Sequence, residues 1–174
     1  MDDSFFAYLQ RLELMAFFSG FPLLYAVIMV MAGNKQSKTS FRNRLVPLLP
    51  YAYALTGTLF LGLQLRNLYP DYSIENIKNN FPQPWLMAWG ALSVLFWIPA
   101  FAKKPFFSLL HSLVFFFFLL KDIIRQFSAS TADKNLVRND MKIYTDSLLL
   151  NLGAFGLLVL IIFLFTRYKN RVKR

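Results

Sequence analysis

Five hydrophobic stretches, each about long enough to cross a bilayer and each bounded by charge or proline, take up most of this chain. They run roughly from Leu12 to Ala32, Leu45 to Leu65, Trp85 to Phe101, Pro105 to Leu120 and Ser147 to Thr166, against the ~17–25 apolar residues that a helical span requires. The pattern predicts an all-α integral membrane protein, a bundle of about five transmembrane helices. With 174 residues, one membrane domain covering 1–174 leaves no room for an independent soluble one.

Hydrophobic residues make up 56% of the chain and charged residues only 16%, a balance that a soluble core of this size would have to dilute with polar surface. The residues before the first stretch carry Asp2, Asp3 and Arg11, the wrong charge for the basic start of a secretory signal, so the first helix is expected to stay in the mature protein. Cysteine is absent, which excludes disulfides, thiolate metal sites and cysteine nucleophiles. A net charge of +10 would suggest nucleic acid in a soluble protein, but here the basic residues gather beside the spans. Charge so placed reads as topology, and no nucleic-acid partner is expected.

The first connection holds Lys35, Lys38, Arg42 and Arg44 without an acid, the third holds Lys103 and Lys104, and the tail 167–174 holds Arg167, Lys169, Arg171, Lys173 and Arg174. If all five stretches span, these clusters share one side. The positive-inside rule then puts the N-terminus outside and the C-terminus in the cytoplasm, in an inner or plasma membrane. The basic tail is expected to meet anionic lipid headgroups.

Spans three and four are short, about 17 and 16 residues, and only Ala102 to Lys104 separates them. They predict a tight hairpin, with Pro99 ending one helix and Pro105 opening the next. The fourth helix is expected to continue through Lys121 to Phe127, since no breaker intervenes, and the proline-flanked centre of the Arg66 to Pro84 loop to form a short interfacial helix. Pro22, behind Ser19 and Gly20, and Pro47 with Pro50 predict local kinks or unwinding. No internal repeat is visible, which argues against the inverted duplication of many secondary transporters.

Charges inside hydrocarbon cost ~2.5–3.5 kcal/mol at the centre of a span, so each polar group invites a functional hypothesis. Glu13, Arg66, Lys121, Asp122, Arg125 and Asn151 all fall near the outer helix ends. They form either a polar vestibule or docking surface, with Glu13 paired to Arg66 or Arg125, or ordinary snorkelling helix ends. His111, the only histidine, lies on one face of the fourth helix with Ser108, Phe115, Phe118, Asp122 and Arg125, a face expected to turn toward the bundle. It is a proton carrier, a ligand to haem or metal, or a partner in an interhelical hydrogen bond. One histidine without cysteine makes neither a bis-histidine haem site nor an ordinary zinc site, and no cofactor or metal is expected.

Ala54, Thr58 and Gly62 at four-residue spacing, and Gly153 with Gly156, are expected to mark close helix packing, within the bundle or against another subunit. No phosphate loop, metalloprotease motif or nucleophile elbow is present, and no span carries a carboxylate near its centre. No catalytic residue is therefore assigned. The leading functional reading is a non-catalytic subunit or accessory protein of a larger membrane complex, in contact with lipids and with other membrane subunits or a second copy. The rivals are a small transporter or channel lined by Tyr25, Tyr53, Thr56, Ser93, His111 and Asn151, and a membrane enzyme acting on lipid with His111 or the outer polar cluster as acid or base.

Overall fold

The computed structural model describes residues 3–33, 44–73, 75, 77, 81, 83–128 and 134–172. Lys35, Lys38, Arg42, Lys173 and Arg174 lie outside the described residues.

Prolines set most of the helix boundaries. Helix α1 (Asp3–Phe18) stops at Ser19–Gly20 and α2 (Phe21–Gly33) takes over. Pro22 has no N–H to give the carbonyl of Phe18, and its ring crowds that carbonyl. A 3₁₀ turn at Val46–Leu48, holding Pro47, leads into α3 (Leu49–Leu68), whose first turn contains Pro50. Helix α4 (Pro84–Ala91) tightens into a six-residue 3₁₀ segment, Leu92–Trp97. Ile98 is then extended, as a residue before proline prefers, and Pro99 opens the single turn α5 (Pro99–Ala102). Helix α6 (Pro105–Ser128) and the 39-residue α7 (Lys134–Val172) complete the chain.

Among the described residues, four apolar helical stretches are long enough to cross a membrane: Gln10–Met31, Val46–Leu68, Pro105–Arg125 and Met141–Lys169. The expected third span differs, because its apolar helix, Pro84–Trp97, is shorter. At about 1.5 Å per α residue and 2.0 Å per 3₁₀ residue it reaches only ~24 Å, short of the ~30 Å hydrocarbon layer. The stretch runs the length of the bundle only in two pieces, with α5 as the second. In the loop before it, Ile77 N–H bonds to the Ser73 carbonyl and Phe81 N–H to the Ile77 carbonyl, both at 3.0 Å, and Glu75 and Ile77 are helical.

The pairs Glu13–Gln64, Phe17–Phe60 and Phe21–Tyr53 set the first span antiparallel to α3. Arg11–Asp122 and Phe18–Phe115 set it antiparallel to α6. Phe18, Phe21, Tyr53, Phe60 and Phe115 are completely buried. Phe18 lies at their centre, stacked on Phe115 at 4.9 Å and edge-on to Phe60 at 5.3 Å. Such aromatic pairs add ~0.5–1.5 kcal/mol beyond area burial, which matters in lipid, where burying apolar surface drives no association.

Within the bundle, the glycines that permit close packing are not those expected. Gly62, Gly153 and Gly156 face open space, and Thr58 is exposed. Of that set, Ala54 is buried. Instead, a Cβ on Gly20 would meet the backbone of α7, 2.6 Å from Leu148 Cα, and one on Gly57 would lie 2.8 Å from Ser93 Cβ. Four-residue spacing marks one face of a helix, but which face turns inward depends on the neighbours.

Candidate functional site

Two polar clusters lie inside the bundle on either side of Phe18. In the first, His111 is 8% exposed. Its Nε2 is 2.8 Å from the Trp89 carbonyl, and its Nδ1 is 2.6 Å from the Tyr53 hydroxyl. A carbonyl only accepts, so Nε2 carries the proton, and in the neutral ring Nδ1 accepts from Tyr53. The Trp89 indole stacks on the imidazole at 4.9 Å and 4°, closing it off from the side where Trp89 itself is exposed. Phe18, Phe96 and Phe115 pack around the rest. Both ring nitrogens are thus committed to the protein.

The second cluster seals the break in the first span. Gly20 N–H donates to Ser147 Oγ at 2.8 Å. The Asn151 amide donates to the carbonyls of Phe17 and Ser147, each at 2.8 Å. Thr56 Oγ1 stands 3.4 Å from Asn151 Oδ1 and 3.2 Å from the Ala52 carbonyl. Asn151 therefore does not belong to the outer layer. It is 1% exposed and level with the helix break, because α7 begins at Lys134 and residue 151 is already several turns along it.

The remaining outer residues divide. Arg11 pairs with Asp122 at 2.7 Å and lies over the Phe118 ring at 5.0 Å. Gln64 donates to Glu13 at 3.0 Å, so Glu13 is held by an amide and not by Arg66 or Arg125. Gln10 and Gln83 exchange two bonds, Gln83 N–H to Gln10 Oε1 at 3.0 Å and Gln10 Nε2 to the Gln83 carbonyl at 3.3 Å. The start of the first span is thereby clamped to α3, to the residue before α4 and to α6. Arg66, Lys121 and Arg125 are exposed. On α6, Ser108, His111 and Phe115 are buried, Phe118 and Asp122 are partly covered and Arg125 is exposed, so the stripe turns inward along most of its length.

Sequence reasoning assigned no partner to Arg11, Gln10, Gln64, Gln83 or Trp89. The amides had a usable signal, since three glutamines near span ends can each offer a donor and an acceptor. Arg167 and Lys169 are exposed, at the end of a stretch of α7 in which every side chain from Leu160 to Lys169 is exposed. Arg171 continues that helix.

Among the described residues no three His, Cys, Asp or Glu side chains gather as a metal site, and Arg11 Nε is the only buried side-chain nitrogen or oxygen without a partner. The fold and its interior define a multi-pass, all-α membrane protein, in which the described residues form no evident catalytic or cofactor-binding centre. Comparison with protein-family models, curated proteins and solved structures finds no match to this chain.

Proposed function

We infer that the protein is a non-catalytic integral membrane subunit, or an accessory protein, of a larger membrane complex. The observation that carries this reading is how the interior polar groups are used: His111, Asn151, Ser147 and Thr56 all bond to neighbouring segments of the bundle itself. Outside, α7 turns Gly153 and Gly156 away from the bundle, beside exposed Leu152 and Leu157. Small residues facing outward let another helix approach closely. The proposed orientation has an external N-terminus and a cytoplasmic basic tail on anionic headgroups.

Purification of the full chain from its native membrane in mild detergent tests the assignment. A stable partner should co-purify, and Gly153→Leu with Gly156→Leu should release it while the bundle stays folded. A lone, monodisperse protein would remove the subunit reading. A small transporter is the second reading, favoured by the break at Ser19–Gly20, since interrupted helices often form substrate sites. Transport through that break would require Ser147 and Asn151 to withdraw, and a cross-link fixing α7 to α2 would then abolish it.

A further inference from the structure

At the end of the bundle marked by Gln83, a cleft of about 500 Å³ opens between the end of α3 and the start of α4. Its floor is Pro84, Met87, Ala88 and Ala91, spaced as one face of a helix and so ~10 Å long. Leu68, Ile77 and Phe81 form its walls, the last two held a turn apart by their own 3.0 Å backbone bond. None of these side chains is a hydrogen-bond donor, and the only heteroatom among them is the Met87 sulfur. Trp89, the neighbour of Ala88, stacks on His111, so the floor runs from the polar rim into the depth of the spans.

We propose that this cleft binds one acyl chain of a bilayer phospholipid, entering from the leaflet on the Gln83 side. Water would find few partners there, and an empty cleft would forgo the dispersion contacts of its walls. The volume is within the ~300–1,000 Å³ range of small-molecule sites. One turn of a partner helix, ~10–12 Å across and 5.4 Å long, would already fill it, which disfavours a protein occupant and suits a single flexible chain. Ala88 and Ala91 create the space, because a larger side chain at either position would project into it. Tyr69, directly after Leu68, is exposed, and tyrosine rings are favoured at headgroup level. The site does not depend on the chain being a subunit of anything.

The full chain in nanodiscs of phosphatidylethanolamine and phosphatidylglycerol, doped with phosphatidylethanolamine bearing a diazirine in its acyl chain, provides the test. After photolysis, cross-links should concentrate on the Ile77 to Ala91 peptides, several-fold above the Leu160 to Lys169 stretch of α7, whose side chains are all exposed. Ala88→Trp should fill the cleft and reduce that enrichment to the level of the last helix, whose own labelling stays unchanged. Ala91→Leu, a milder filling, should lower it part of the way, which guards against misfolding of the tryptophan variant. Equal labelling of the two stretches in the wild type would overturn the proposal, as would enrichment that persists in both variants. Labelling of the cleft by a free diazirine fatty acid, with none from the phospholipid probe, would also overturn it.

Discussion

The side-chain amide of Asn151 stands in for a helical N–H. It donates at 2.8 Å to the carbonyl of Phe17, which an unbroken helix would have paired with the N–H of Phe21. The last helix thus completes the hydrogen bonding of the first, one turn before Pro22. Replacing Asn151 with Leu should leave that carbonyl unpaired at a cost of about 1–3 kcal/mol. Equilibrium unfolding in mixed micelles measures it, and an unchanged midpoint would show that the amide does not cap the break.

Gly20 and Gly153 should respond in opposite ways to the same change. Gly20→Ala drives a methyl group into the α7 backbone, where neither side can yield cheaply, and overpacking costs ~1–3 kcal/mol. Gly153→Ala meets nothing and gains up to ~1 kcal/mol of helix propensity. Thermal stability of the two variants side by side decides it, and equal effects would contradict the close approach at Gly20.

Tyr53 and His111 should be energetically coupled. Membrane hydrogen bonds average ~0.6 kcal/mol, with a maximum near 1.7, in double-mutant cycles, so Tyr53→Phe with His111→Leu should couple within that range. Trp89→Ala should also expose the imidazole to a histidine-modifying reagent that barely reacts with the wild type. Coupling of zero, with reactivity unchanged, would place His111 elsewhere.

The Arg11–Asp122 pair is partly screened, with side chains 26% and 20% exposed. Removing either partner should cost roughly 1 kcal/mol. Asp122→Arg should loosen the start of the first span, seen as faster proteolysis near the N-terminus, and the double exchange Arg11→Asp with Asp122→Arg should restore protection. Failure of the exchange would mean that position, and not charge pairing, holds the contact.

Topology follows from whether Pro84–Ala102 crosses as a two-piece span. If it does, the two termini lie on opposite sides; if only the four long helices cross, they lie on the same side. Reporter fusions at both ends are expected to place residue 174 in the cytoplasm and residue 1 outside.

Membrane embedding and the helix interruptions were legible in the chain itself, because both are local properties. The hydropathy of a span is a sum over its own residues, and a proline removes an N–H whatever surrounds it, as at Pro22 and Pro99. The identity of the packing glycines, the partner of Glu13 and the depth of Asn151 were not legible. Each depends on how far a helix is rotated about its axis and slid along it. In water an apolar face would report that rotation. In lipid both faces are apolar, so Gly20 and Gly153 look alike until the neighbouring helix is in place. The axial offset of α7 has the same character: its helix starts at Lys134, before the apolar stretch begins, and only its contacts with Phe17, Gly20 and Thr56 brought Asn151 to the break in the first span.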